Sequence, residues 1–158
     1  MATSTNVAIA LGSNLGDREA KLAFGLSALP GFITNLREST WHQTDPVGVP
    51  SAQPRYLNGV VVGKTDLSAR ELLARLLAIE DAAGRTRPEP LAPRTLDLDL
   101  ILFGDKKIEE PGLLVPHPRF RERLFVLEPL AEVAPDWIDP VTGESVSVLL
   151  QRARQNPS

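Results

Sequence analysis

Ten residues, Arg94-Thr95-Leu96-Asp97-Leu98-Asp99-Leu100-Ile101-Leu102-Phe103, restrict the fold more than any other stretch of this chain. From Thr95 onward polar and apolar residues alternate, and a β-strand sends successive side chains to opposite faces. Leu96, Leu98, Leu100 and Leu102 are therefore expected on one face, and Thr95, Asp97, Asp99, Ile101 and Phe103 on the other. The leucine face must be covered, because a flat row of exposed leucines is an aggregation site. The opposite face begins with carboxylates and ends apolar, so it is wet at one end and buried at the other. Residues two apart on a strand lie about 6.5–7 Å apart, close enough for two carboxylates to share a pair of hard cations. The plainer reading is an edge strand with two solvated aspartates. Asp is disfavoured inside strands, and arginines stand just upstream, so Asp97 and Asp99 are read as metal ligands.

The chain of 158 residues falls in the usual size range of one domain, and a single domain over 1–158 is expected. Its net charge of −3 implies no general attraction to nucleic acid or to an anionic membrane, and neither partner is expected. It contains no cysteine, which excludes disulfides, thiolate zinc sites and a cysteine nucleophile. Two histidines, His42 and His117, are too few for a histidine-based metal cluster. No apolar run approaches the roughly 20 residues of a membrane span, and the first residues lack a signal-peptide core. A cytoplasmic monomer is the expectation.

Val7 to Leu11 reads as a buried strand entering a turn at Gly12-Ser13-Asn14. A helix follows with Asn14 or Asp17 as cap, carrying Leu22, Leu26 and Leu29 and stopped by Pro30-Gly31. Phe32 to Thr44 predicts one long strand, and the prolines at 46, 50 and 54 then enforce a loop. Tyr56 to Val62 is again strand. The tail Gly63-Lys64-Thr65 lacks the upstream glycine of a phosphate-binding P-loop, so a turn is expected there. Ser68-Ala69-Arg70-Glu71 fits a capping box opening a helix with Leu72, Leu73, Leu76, Leu77 and Ile79 as its stripe. A proline-broken loop from Gly84 to Arg94 leads into the central strand. Arg121 to Ala134 predicts a helix with Leu124, Leu127, Leu130 and Val133 inward, and Ser145 to Ala153 a last one. Strand, helix, strand, strand, helix, strand is the split βαβ plan: an α+β, ferredoxin-like αβα sandwich with a mainly antiparallel sheet.

The polar features share one chemical logic. Asp97 and Asp99 suit Mg²⁺. Arg85, Arg87, Arg94 and Arg123 can supply forked donors to phosphate oxygens, and His117, held between Pro116 and Pro118, can add another. Transfer of phosphoryl groups requires metal, positive charge and alignment more than covalent help. Two-metal hydrolysis of a phosphate ester would use the same aspartates. A ferredoxin-like module binding RNA through aromatic strands fits less well, since the chain is acidic and its best strand offers carboxylates.

Pro93-Arg94-Thr95-Leu96-Asp97-Leu98-Asp99, followed by Val115-Pro116-His117-Pro118, resembles the 6-hydroxymethyl-7,8-dihydropterin pyrophosphokinases. Leu11-Gly12-Ser13-Asn14-Leu15-Gly16-Asp17, Tyr56-Leu57-Asn58 and Phe125-Val126-Leu127-Glu128-Pro129-Leu130 are similar to that family in the same order. The resemblance implies a ferredoxin-like fold and transfer of pyrophosphate from ATP, as co-substrate, to the pterin hydroxymethyl group in folate biosynthesis, leaving AMP. It implies that Asp97 and Asp99 hold two Mg²⁺ ions, and that Arg85 and Arg94 act with them in catalysis. Leu73, Glu80, Arg85, Arg87, Arg94, His117 and Arg123 would meet ATP. Thr44, Val47, Tyr56, Asn58 and Phe125 would hold the pterin. Pro90-Leu91-Ala92 departs from the arginine-tryptophan-glycine common in the family, which puts closure of that loop in question.

Overall fold

The computed structural model describes residues 4–13, 18–44, 56–84 and 96–155. A central antiparallel sheet is built from β1 (Thr5–Ser13), β2 (Thr34–Glu38), β3 (His42–Thr44), β4 (Tyr56–Thr65) and β5 (Asp97–Phe103). Its order is β2-β4-β1-β5, with β3 also paired to β4. Helices α1 (Arg18–Ala28) and α2 (Ala69–Gly84) pack on one face, and α3 (Leu124–Val133) and α4 (Val146–Gln155) on the other. The expected αβα sandwich is thus present. A hairpin of β6 (Ile108–Glu110) and β7 (Leu113–Val115) follows β5.

Each face has its own core, and strand parity assigns the residues. Val7, Ile9 and Leu11 of β1 and Leu57 and Val61 of β4 meet Leu22, Leu72, Leu76 and Ile79 of α1 and α2. Ala8 of β1 and Val60 and Val62 of β4 meet Val126, Leu127, Leu130, Val146 and Leu149 of α3 and α4. The capping box forms as the sequence predicts: the Ser68 N–H donates to Glu71 Oε1 at 3.0 Å and the Glu71 N–H to Ser68 Oγ at 3.1 Å. That capping bond from the Ser68 N–H, with the Ser68 hydroxyl, holds the Glu71 carboxyl below its ordinary pKa. The last helix also lies where expected, with the Ser145 hydroxyl accepting the Val148 N–H at 3.2 Å.

Four expectations need correction. Leu102 does not share a face with Leu96, Leu98 and Leu100. A register shift opposite Ala8 and Ile9 inserts an extra residue in β5, so Leu102 enters the α3/α4 core and Phe103 the α1/α2 core. A β-bulge reverses parity in this way. The long strand from Phe32 to Thr44 is interrupted, because Ser39 takes over a ladder bond: its hydroxyl accepts the Val60 N–H at 3.0 Å. Gly63 lies inside β4, not in a turn, and a Cβ there would come 2.5 Å from Ile33 Cγ2 and 2.7 Å from the Thr34 carbonyl. Finally, Leu77 is 49% exposed, and the buried stripe of α2 runs instead through Leu72, Leu76, Ile79 and Ala83.

Candidate active site

The site grows from one row of cross-strand neighbours. His42 of β3 pairs with Asn58 of β4, Asn58 with Gly12 of β1, and Gly12 with Asp97 of β5. Residues directly opposite on adjacent strands point to the same face, so this row lies on the side of α3 and α4. Strands stand about 4.8 Å apart, which separates positions 58 and 97 by roughly 10 Å. Gly12 keeps the row open between them, since a Cβ on Gly12 would sit 2.8 Å from Asn58 Oδ1. One step inward along β1, Ala10 lies opposite Asp99; one step outward along β4, Tyr56 pairs with Thr44. Asp97 is half-buried and Asp99 exposed, and both stand beyond the apolar part of this face.

β5 is an edge strand, and two outside groups satisfy its outer backbone. Glu80 of α2 accepts the Leu98 N–H on Oε2 at 2.6 Å. The Ile101 carbonyl, at the bulge, accepts the His117 N–H at 3.0 Å. The bulge thereby brings the loop after β7 to the carboxylate strand. The Val115–Pro116 peptide bond is cis, and the His117 ring accepts the Arg119 N–H on Nδ1 at 3.2 Å. A neutral ring so held carries its proton on Nε2, which makes Nε2–H a donor. Burial pushes the His117 pKa down; Asp99 opposes this, and Arg123 and Arg119 add to it.

Arg123 precedes α3, its carbonyl accepting the N–H groups of Val126 and Leu127 at 3.0 and 2.9 Å. Its guanidinium lies 5.5 Å from the centre of the Phe125 ring. Phe125 itself is half-buried against the α3/α4 core. Of the nucleotide residues expected, Glu80 touches β5, His117 and Arg123 converge on the Asp99 side, and Leu73 packs partly against the α1/α2 core. Arg85, Arg87, Arg94 and Val47 lie outside the described residues. Thr44 and Tyr56 form one pair of the β3–β4 ladder, and Asn58 lies two residues along β4, opposite His42.

Among the described residues no three His, Asp or Glu side chains converge as a metal cage. Two strand carboxylates nevertheless fit Mg²⁺ when substrate is present, because Mg²⁺ retains several waters and is usually bound by one or two carboxylates plus phosphates.

A family model described as 7,8-dihydro-6-hydroxymethylpterin-pyrophosphokinase (HPPK) matches residues 8–135. The chain belongs to the HPPK family. It is 44% identical over 146 residues to a 2-amino-4-hydroxy-6-hydroxymethyldihydropteridine pyrophosphokinase of Synechocystis sp., covering 91% of this chain and 74% of that protein. The enzyme of the same name from Bacillus subtilis is 48% identical over 127 residues, covering 79% and 75%. Among solved structures, wild-type Plasmodium falciparum HPPK-DHPS superposes with a TM-score of 0.75 at 13% identity, a likeness that concerns the fold. That match covers 99% of this HPPK chain and 47% of the longer one, so the chain spans less than half of its length. Helix α4 lies beyond the matched residues yet contributes Val146, Leu149, Leu150 and Ala153 to the α3/α4 core.

Sequence reasoning missed two polar clusters. Asp139, fully buried, is held by Arg121, whose Nη2 donates to Oδ1 at 3.0 Å, by the Val141 N–H at 3.0 Å and by the Thr142 hydroxyl at 2.9 Å. Burial raises the Asp139 pKa, but Arg121 and those donors outweigh it and bring it below its ordinary value. Asp139-Pro140 signals a turn, but nothing in the sequence shows that Arg121 reaches it. Glu132 on α3 receives the Thr40 N–H at 2.7 Å, the Thr40 hydroxyl at 2.9 Å and His42 Nε2 at 2.6 Å. Burial raises its pKa, and the donors from Thr40 and His42 overcome that and lower it.

Proposed function

We propose that this HPPK transfers the terminal pyrophosphate of ATP to the hydroxymethyl group of 6-hydroxymethyl-7,8-dihydropterin, giving AMP and the pterin diphosphate for folate biosynthesis. The row Asn58–Gly12–Asp97, at the end of the α3/α4 face beyond its apolar core, supports this reading most directly. It sets an amide suited to a heterocycle's edge about 10 Å from a carboxylate suited to a metal phosphate.

Asp97 and Asp99 would hold two Mg²⁺ ions on the phosphates. Bound there, the ions would neutralise phosphate charge and align the leaving and attacking oxygens. Arg123 and the Nε2–H of His117 would donate to phosphate oxygens, with Arg85, Arg87 and Arg94 completing the positive field. Glu80 fixes the height of β5 through Leu98, and with Leu73 it would border the nucleotide. Tyr56 and Phe125 would stack on the pterin, and Asn58, the Thr44 backbone and Val47 would read its edge. The working unit proposed is one domain over 1–158, a cytoplasmic monomer; none of the described helices is long and apolar enough to cross a membrane.

The test is to incubate the chain with ATP, Mg²⁺ and the reduced pterin alcohol. AMP formed in step with the pterin diphosphate is expected. ADP, or free phosphate without pterin consumption, would overturn pyrophosphoryl transfer and favour two-metal hydrolysis by the same aspartates.

A further inference from the structure

We infer that Glu132 is a positioning residue that sets the width of the pterin pocket by fastening α3 to β3. The inference rests on the pterin reading of Asn58 and Phe125 above. The segment from Phe32 to Thr44 is not one continuous strand: after Ser39 replaces a ladder bond, Thr40 and Trp41 belong to no strand, and pairing resumes only at His42. The resumed piece, β3, is three residues long, and its ladder bonds run to β4 alone. So short a ladder does little by itself to hold β3 in place.

Glu132 supplies the missing constraint. It accepts the Thr40 N–H at 2.7 Å, the Thr40 hydroxyl at 2.9 Å and His42 Nε2 at 2.6 Å. Hydrogen bonds to a carboxylate are stronger and shorter than neutral ones. Glu132 follows Phe125 by seven residues, two helical turns, so both lie along the same side of α3 about 10.5 Å apart. One end of that helical side carries the proposed stacking ring, and the other grips the strand whose His42 stands opposite Asn58. Pro129 lies between them and removes the N–H that would bond the Phe125 carbonyl, which loosens the helix at that point. The Glu132 grip therefore fixes the strand side of the pocket relative to the helix side, without touching the ligand.

The experiment compares Glu132→Ala, Glu132→Gln and wild type by calorimetry with the reduced pterin alcohol and, separately, with ATP and Mg²⁺. Glu132→Ala should weaken pterin binding roughly three- to tenfold, as expected for a residue coupled to a site it does not contact, and leave ATP binding nearly unchanged. Glu132→Gln, whose amide oxygen still accepts the Thr40 N–H, should recover part of that loss. Equal weakening of both ligands, or unchanged pterin affinity in folded Glu132→Ala, overturns the proposal. Should Glu132→Ala fail to fold, Thr40→Val removes one exposed hydroxyl; a smaller loss of pterin affinity supports the clamp and none overturns it. The wild-type measurement separates the two claims: a wild type that does not bind the pterin overturns the site reading, whereas one that binds it with affinity insensitive to Glu132 overturns the clamp alone.

Discussion

The two faces of the central sheet use the same strands and end differently. Under α1 and α2 the face stays apolar up to Leu11, Leu57, Leu96 and Leu98, all 8% exposed or less. Under α3 and α4 the same end carries Asn58, Gly12, Asp97 and Asp99. One helix on each face differs in length. The 16 residues of α2 span about 24 Å, whereas the 10 residues of α3 span about 15 Å against a β4 of 10 residues and about 33 Å. A short helix cannot cover a long strand, and the uncovered remainder can be polar at no cost in core burial. Both faces have a core, but at this end of the strands the α1/α2 face is given to packing and the α3/α4 face is left to the proposed chemistry.

That division predicts opposite consequences for neighbouring residues of β5. Asp97→Ala and Asp99→Ala should each lower turnover by at least about 10³-fold, since metal ligation supplies several kcal/mol of charge stabilisation. Neither should lower the melting temperature appreciably, because no apolar core is lost. Turnover near wild type at saturating Mg²⁺, or a large drop in melting temperature, would break the contrast. On the closed face the signs exchange. Leu76→Ala, at a fully buried position of α2, should cost about 2–5 kcal/mol of stability. Residual folded protein should turn over normally, as denaturant melts paired with initial rates would reveal.

The contrast sharpens at Phe125, which belongs partly to both roles: it packs on the α3/α4 core and is proposed to stack on the pterin. Phe125→Ala should weaken pterin binding by about 1–1.5 kcal/mol and ATP binding much less, because stacking acts on one ligand. Calorimetry showing comparable losses for both would make Phe125 a packing residue only.

How much of this was legible in the sequence depends on the distance over which each feature is encoded. The capping box of Ser68 and Glu71 spans three residues and was read correctly, as was the strand bearing Asp97 and Asp99. The βαββαβ order follows from local periodicity and turn residues, and it fixed the sheet. The bulge opposite Ala8 was not legible, because it depends on the partner strand and on a loop that delivers the His117 N–H to Ile101. Glu132 and Thr40 lie 92 residues apart, and no spacing rule links them. Arg121 and Asp139 lie 18 residues apart, on either side of α3, and no spacing rule links them either. The proposed site residues were named by their motif. What aligns Asn58, Gly12 and Asp97 is backbone pairing that the motif does not contain.

The smallest predicted effect concerns His117, which lies where the covered and uncovered parts of the α3/α4 face meet. Burial lowers its pKa in the folded chain, so the unfolded chain binds a proton more readily in the window from the ordinary value near 6.5 downward. Stability associated with the neutral ring is therefore complete above pH about 6.5, and is lost as pH falls through the lowered folded value. His117→Gln removes the titration while retaining an acceptor for the Arg119 N–H. The difference in unfolding free energy between wild type and His117→Gln should thus be constant from pH 7 to 8 and move against wild type below about pH 6.5. Matched denaturant melts across that range provide the check. A difference moving in favour of wild type on acidification would mean that Asp99 outweighs burial at His117, and would place that ring with the wet carboxylate end of the face.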